Sequence, residues 1–518
     1  MRRWLARLRE AVAPQLLARV LDLVTLAFVV AFHRVMSAKA IHAPPGFDEH
    51  YFLWEGFSVT RGMVPYRDFQ EFKPPMIMLV NALGLRLFGL HAMAYRQIFS
   101  LLSIGAFLAF TIALLSRRTS RLLVGALVAF MISHYFFSGF HDSSINNSES
   151  VGLFFFTIGT SILLLRTRWV RTQQIVGAAV LALAPLSKEP LVFVTLAAWL
   201  CLLCLHDVES GRFSAKRFAI FTVAGAAGVG GIWLAYMLAT HSLGWYIVQL
   251  KLSIAYTKNY AYQLGWFPKD PPEGVFAESW KRLRESYVNY TRIGPFVPLF
   301  AAALALSGRR FLVGCLSLCA VAAGLYAVTI GHGFAPHYFV MAMTGTFFAA
   351  AIGAIALDGY ARRSGGGLRW WIGLSWVAGA FLALWSQFSD ERVKQTSYVS
   401  SEPVVSPAEL GFVRSHSARG DRIWTLGDPL LYVYSDRLNA LREGNAVDEL
   451  IDYYPGATDE ERLAPQREEL VHSPPKLIIF GDDAQSASRK QRITRALVNP
   501  FIKEFRYTKV GEKFYVRP

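Results

Sequence analysis

Charge is scarce in this chain. Asp, Glu, Lys and Arg make up 17% of its 518 residues, against 53% hydrophobic residues, too little to clothe a soluble body of this size. The mean hydropathy is +0.32, and the apolar residues fall in long runs, not in amphipathic stripes. That excludes an ordinary soluble enzyme and indicates a polytopic α-helical membrane protein. Cysteine is nearly absent: Cys201, Cys204, Cys315 and Cys319 all lie inside apolar runs. Cys201 and Cys204 have no His or Cys pair near them in sequence to complete a metal site, so all four read as packing residues. The polar C-terminal stretch, without cysteine, carries no disulfide framework. A glycine-rich nucleotide loop is missing, as is metal-ligand spacing in that stretch, and nothing in the sequence requires a divalent metal or another cofactor. The net charge of +16 would suit nucleic acid, but no basic, aromatic-interleaved soluble module stands apart, and no nucleic-acid partner is expected. No cleavable signal peptide is expected, because the apolar segment after Arg2, Arg3, Arg7 and Arg9 is long enough to remain in the bilayer.

What is present is a series of eleven expected spans. They run Leu16–Val35, Ala92–Leu115, Leu122–Phe137, Val151–Leu165, Ile175–Leu186 and Leu191–Leu205, then Phe218–Ala239, Ile293–Leu306, Phe311–Ile330, Tyr338–Leu357 and Trp370–Phe388. Several are shorter than the ~20 residues of a crossing helix, so their ends must include flanking polar residues. The arginines test this order. Arg117, Arg118 and Arg121, then Arg166, Arg168 and Arg171, then Arg212, Lys216 and Arg217, Arg309 and Arg310, and Arg362, Arg363 and Arg369 all fall on one side of it with the N-terminus. The positive-inside rule makes that side the cytoplasm. The loops carrying Asp48, Asp142, His332 and His337 then face outward with the C-terminal tail.

Outer segments that are not spans have their own character. Asp48–Gly62 is helical and aromatic-rich, and Pro74–Phe88, interrupted by Asn81 and Arg86, suits an interfacial or partly immersed helix. His241–Arg292 mixes Trp and Tyr with Lys251 and Lys258, as expected at headgroup level. Residues 1–388 form the transmembrane unit and 389–518 a small α/β domain. Strands are expected at Arg422–Leu426 and Leu477–Phe480, a hairpin about Gly511-Glu512, and helices at Pro407–Ser417 and Lys490–Val498.

Residues able to do chemistry collect in the outer loops. Asp48-Glu49-His50-Tyr51 is followed by Glu71-Phe72-Lys73-Pro74-Pro75, and Arg96 opens the second span. Asn147-Ser148-Glu149 opens the fourth span, Lys188 and Glu189 share a tight turn, and His337-Tyr338 opens the tenth. Ionisable groups at membrane depth are costly and usually face a cavity. Blander roles stand beside each: Asp48 as a helix N-cap, Glu149 as a cap, His337-Tyr338 as an aromatic-belt anchor, and Asp68 and Glu71 as solvated loop acids.

In order and type, Asp48-Glu49-x-Tyr51, Pro65-Tyr66-x-Asp68-Phe69, Lys73-Pro74-Pro75, Leu87-Phe88-Gly89, Arg96, Asn147-Ser148-Glu149 and His337-Tyr338 resemble the bacterial GT-C glycosyltransferases. These polyprenyl-phosphate-dependent enzymes are related to the protein O-mannosyltransferases and the aminoarabinose transferase of lipid A. One departure is the lack of a proline in Val340–Phe347, after the His-Tyr pair. The resemblance implies transfer of a sugar from a polyprenyl phosphate to a hydroxyl of a glycan, lipid or protein, on the outer face of a bacterial inner membrane. It implies Asp48 as base, Glu149 as a second acidic residue, and Lys73 and Arg96 on the phosphate. Lys188, His337, Tyr338, Glu49 and Tyr51 would line the substrate site. Two other readings stay open: a transporter or flippase, although no internal repeat is visible, and a polymerase or ligase of lipid-linked glycans, for which Lys281, Arg282, Arg284 and Arg292 would serve.

Overall fold

The computed structural model describes residues 2–42, 47–71, 73–90, 93–137, 146–263, 268, 274–291, 311–330, 338–364, 405–442, 451–480 and 487–518. The helices of the membrane unit are α1 (Arg2–His42), α2 (Phe47–Thr60), α3 (Met76–Phe88), α4 (Met93–Ser116), α5 (Arg121–Phe137), α6 (Ser148–Leu164) and α7 (Val170–Ala182). They continue as α8 (Leu191–Ser210), α9 (Arg212–Ala239), α10 (Leu243–Gln263), α11 (Val275–Thr291), α12 (Phe311–Thr329) and α13 (Phe339–Ser364). Among the described residues, six segments are long and apolar enough to cross a membrane, in α1, α4, α8, α9, α12 and α13. This is a multi-pass membrane protein. Nine of the eleven expected spans fall on helices, while Ile293–Leu306 and Trp370–Phe388 lie outside the described residues. Helices α5, α6 and α7 are shorter, and α7, at 13 residues, covers only about 20 Å. Two boundaries move: α6 starts at Ser148, capped by Asn147, and α7 starts at Val170, five residues before the apolar run begins.

The helix ends sort into two faces. At one, Arg117 donates to the Leu164 carbonyl and to Glu209, each at 2.7 Å, while Arg121 donates to Asp22 at 2.7 Å. The Ser120 N–H donates to Asp358 at 3.2 Å. These contacts bring the ends of α4, α5, α6, α8 and α13 together beside the middle of α1, on the side where the basic clusters fall. At the opposite face the Met76 N–H donates to the Leu186 carbonyl at 3.1 Å and Arg67 donates to the Thr240 carbonyl at 3.0 Å.

Helix α3 has one buried and one exposed apolar face. Ile77, Met78, Asn81 and Leu85 are buried, while Leu79, Leu83 and Leu87, four residues apart, form an exposed apolar stripe suited to lipid. It packs tightly on α2, since a Cβ on Gly56 would come within 2.5 Å of the Asn81 Cβ; only glycine permits that approach.

The C-terminal unit carries a five-stranded sheet in the order β2-β1-β3-β5-β4. Strands β1 (Arg422–Leu426), β2 (Leu438–Asn439) and β3 (Leu477–Phe480) are parallel, and the hairpin β4 (Thr508–Val510) and β5 (Phe514–Val516) adds antiparallel. The hairpin turns at Gly511, whose φ of 65° favours glycine. Trp424, Ile478 and Phe501 are buried against one another in a core of their own. A turn of helix at Leu430–Ser435 packs on α2, where Trp54 meets Tyr432 with ring centroids 6.1 Å apart.

Candidate active site

The site is built on one stripe of α2. Asp48, Phe52 and Glu55 follow each other at i, i+4 and i+7, so they line a single face. The described helix begins at Phe47, which puts Asp48 in the first turn and not at the expected cap position. There the unpaired N–H groups favour a negative charge. No hydrogen bond or ion pair of the Asp48 carboxylate is found among the described residues.

The segment Pro65–Pro75 lies across this stripe and is held from several sides. Tyr66 sits in the left-handed region at φ 69°, a conformation that costs a large side chain about 1–3 kcal/mol. Its surroundings over-determine it. The ring packs 4.9 Å from Tyr246, the hydroxyl donates to the Lys73 carbonyl at 2.9 Å, and Arg442 of the C-terminal unit donates to the Tyr66 carbonyl at 2.9 Å. Arg442 also stacks 3.8 Å from the Trp245 ring, and its carbonyl accepts the Gln70 N–H at 2.7 Å. Lys73 is thereby delivered half-buried onto the stripe, its ammonium 4.2 Å from the centre of the Phe52 ring. Burial pulls the Lys73 ammonium down, but Asp48 and Glu71 outweigh it and hold its pKa above the ordinary value. It stays charged at any physiological pH.

Glu71 is 1% exposed, so it is not a solvated loop acid. One of its oxygens accepts the Lys73 N–H at 2.8 Å. Glu55, fully buried, lies beside it. Burial first, then the Glu71 charge, push the Glu55 carboxyl well above the usual carboxylate range. Among the described residues, both Glu55 oxygens and the second oxygen of Glu71 lack a hydrogen-bond partner.

A second charge group lies on the adjoining helix ends. Lys188 reaches Glu149 at 2.8 Å and lies 5.0 Å from the Tyr338 ring. Glu149 is 2% exposed, is hydrogen bonded by the Ser148 hydroxyl at 3.1 Å, and sits in the first turn of α6 without capping it. Burial lowers Lys188, yet Glu149 more than compensates and raises its pKa. Burial raises the neighbouring Glu189. Asp48, Lys73, Glu149 and Lys188 all act on the Tyr338 hydroxyl, so the two groups belong to one electrostatic cluster.

Other sequence candidates have different surroundings. The Glu49 carboxylate accepts the Asn146 N–H at 2.9 Å, and the Asn146 and Asn81 side-chain amides pair reciprocally at 2.8 and 2.9 Å. All three are fully buried, which joins α2, α3 and the start of α6. Tyr51 is buried, its ring 5.4 Å from Trp54. Arg96, buried in α4, is not among the charges acting most on Lys73 or Lys188. His337, with Asp142 and His332, lies outside the described residues. Sequence reasoning missed Glu55, although its spacing from Asp48 marks the same face. Among the described residues, no group of three or more His, Cys, Asp or Glu side chains is arranged to hold a metal.

No family profile matches the chain, and no curated protein matches it in sequence. Solved structures do. ArnT from Cupriavidus metallidurans, bound to undecaprenyl phosphate, aligns over 95% of this chain and 97% of its own, with TM-score 0.53 and 12% identity. This chain has the GT-C fold. The same GT-C architecture relates it to the oligosaccharyltransferase of Archaeoglobus fulgidus in complex with zinc and sulfate. That match covers 96% of this chain and 73% of the other, with TM-score 0.50 and 13% identity. The apo form of that enzyme aligns with TM-score 0.51 at 12% identity, over 95% and 74% of the two chains. At such identities the GT-C fold is what is shared; residue roles rest on the geometry above.

Proposed function

We propose that this chain is a membrane glycosyltransferase. It moves a sugar from a polyprenyl phosphate carrier to a hydroxyl of a glycan, lipid or protein, with inversion at the anomeric carbon. The observation that carries this reading is a carboxylate, Asp48, in the first turn of α2, with no hydrogen bond or ion pair among the described residues, whose charge acts on Lys73 and helps to hold its ammonium charged. In the transfer, the acceptor oxygen forms its bond to the anomeric carbon and its proton passes to Asp48. The bond from that carbon to the carrier phosphate breaks, and its electron pair stays on the phosphate. Lys73 meets the growing negative charge. The phosphate is already a good leaving group, so no acid has to protonate it. Glu149 holds Lys188 beside Tyr338 as a second, balanced element of the same charge cluster.

The undecaprenyl phosphate bound to ArnT supports a lipid-linked donor within this fold. The basic clusters at the opposite face support a cytoplasmic N-terminus, an outward site and a periplasmic C-terminal unit in a bacterial inner membrane. Asp48→Asn keeps size and polarity but cannot accept the proton. It is expected to lower transfer by about 10²–10⁴-fold with unchanged expression and insertion, measured with sugar-charged polyprenyl phosphate; full activity in this variant would remove Asp48 as the base. Lipid and glycan mass spectrometry of a deletion strain identifies the acceptor.

A further inference from the structure

Helix α10 is amphipathic the wrong way round for a helix in water. Ile247, Val248, Leu250 and Ile254 are exposed, beside Lys251, while Tyr246, Gln249 and Ser253, at i, i+3 and i+7, share the inward face. An outward apolar face suits lipid, but an inward polar face needs something polar to meet. Tyr246 packs its ring 4.9 Å from that of Tyr66, whose hydroxyl donates to the Lys73 carbonyl at 2.9 Å. The inward face of α10 therefore adjoins the loop that crosses the α2 stripe. Glu189 is among the charges acting on both tyrosines, so the turn before α8 fronts the same space.

Gln249, one turn beyond Tyr246, is 1% exposed, and among the described residues neither its amide nitrogen nor its amide oxygen has a hydrogen-bond partner. A carboxamide stripped of water with both ends unmet is costly. An apolar side chain of the same length would carry no such cost, so the stability of the fold does not account for the amide. The group offers N–H donors and a carbonyl acceptor in one plane. Neighbouring hydroxyls of a sugar ring match both ends at once, because each hydroxyl donates and accepts. A phosphate has acceptors only and leaves the amide oxygen unmet, and a hydrocarbon tail meets neither end. We propose that Gln249 is a specificity-determining residue that binds hydroxyls of the donor's sugar ring. The inference rests on the lipid-linked donor reading above, which sets a sugar next to the carrier phosphate beside the Tyr66–Lys73 loop, and its test separates the two.

The full chain is purified in nanodiscs and presented with undecaprenyl phosphate, either bare or carrying glucose, galactose, mannose or arabinose. A bare carrier that fails to bind the wild type removes the donor reading, and the inference with it. Given that binding, the inference is tested by Gln249→Met, close in length but without the amide. The wild type is expected to hold at least one sugar-bearing carrier about tenfold more tightly than the bare one. Gln249→Met is expected to lose that gain while keeping the bare carrier within about twofold. Its thermal midpoint without ligand should hold or rise, since an unmet amide leaves the interior. A wild type that binds all carriers alike, an equal loss for bare and sugar-bearing carriers, no loss for any, or a lowered ligand-free midpoint would overturn the assignment. Free methyl glycosides of the same sugars are the remaining probe: weaker competition by them in Gln249→Met, with the sugar-bearing carriers unaffected, would put the amide on the acceptor and overturn the donor assignment.

Discussion

Two acids seven residues apart on α2 illustrate how surroundings divide the labour of one functional group. Asp48, half-exposed in a first turn, is suited to take a proton, while Glu55, fully buried against another carboxyl, is suited to keep one. The difference has a measurable pH signature. The folded pKa of Glu55 lies above its ordinary 4.5, so across that interval the folded protein binds more protons than the unfolded chain. Its contribution to stability is therefore fully present below the ordinary value and falls as pH rises toward the folded one. Glu189 is shifted the same way, so the diagnostic quantity is a difference between variants. The thermal midpoint of Glu55→Gln is expected to fall less steeply than that of wild type as pH rises above the ordinary carboxylate range, measured by light scattering or intrinsic fluorescence in detergent. Parallel curves would show that Glu55 does not carry its proton above that range.

Pairs of elements are joined by charges that would be costly apart. Lys188, in the turn before α8, and Glu149, in α6, are exposed by 14% and 2%. Removing one partner strands the other in a poorly hydrated place. Lys188→Ala is expected to destabilise the protein by about 3–5 kcal/mol, with much of the loss recovered in the double variant with Glu149→Ala. A double-mutant cycle on thermal unfolding checks this; additive effects would show that the pair is not coupled. The same logic explains the Glu49–Asn146–Asn81 junction, where amides and one carboxylate satisfy each other without water. It also explains why the C-terminal unit matters to a membrane site. His50 meets Asp428 at 2.7 Å, Arg61 and Arg419 both pair with Asp436, and Arg442 ties down Tyr66. The loop that delivers Lys73 is thus braced by a sheet nearly four hundred residues later in the chain.

For the molecule as a whole, topology decides whether the cluster around Lys73 meets a periplasmic or a cytoplasmic acceptor. Arg419, in the C-terminal unit, is 76% exposed, and Arg166, at the opposite helix ends, is 58% exposed. In a background with the four native cysteines replaced by alanine, Arg419→Cys is expected to react with an impermeant maleimide in cells with a permeabilised outer membrane. Arg166→Cys should react only after the inner membrane is broken. The reverse pattern would place the site in the cytoplasm. Helix shape agrees with a bundle in lipid: α1 and α9 present rows of exposed apolar side chains such as Leu23, Phe28, Val223 and Ile232, whereas α13 is almost wholly enclosed.

The linear order of residues already settled the solvent of this protein and its coarse plan. Apolar run length sets which segments can enter a bilayer, arginine clusters sort the connections, and short apolar runs beside glycine mark β1, β3 and the closing hairpin, while the two-residue β2 carries no such signal. These are local properties, and the helices and strands fall where they point. The proposed site residues Asp48, Lys73, Glu149 and Lys188 were candidates on sequence alone, because each sits near a recognisable helix end. Which charge meets which was not. The Glu149–Lys188 pair joins residues 39 positions apart, and Glu55–Glu71 and Tyr66–Arg442 depend on helix phase and on the docking of a distant sheet. Glu71 read as a solvated acid because composition carries no burial; folding placed it in a dry pocket and changed its chemistry. The opening stripe of carboxylates on α2 was written in the spacing of Asp48 and Glu55. Only packing decided that one end stays partly exposed and the other is buried beside another carboxyl, since protonation follows the local dielectric and the nearest charge, and both are created by chain segments that sequence leaves far apart.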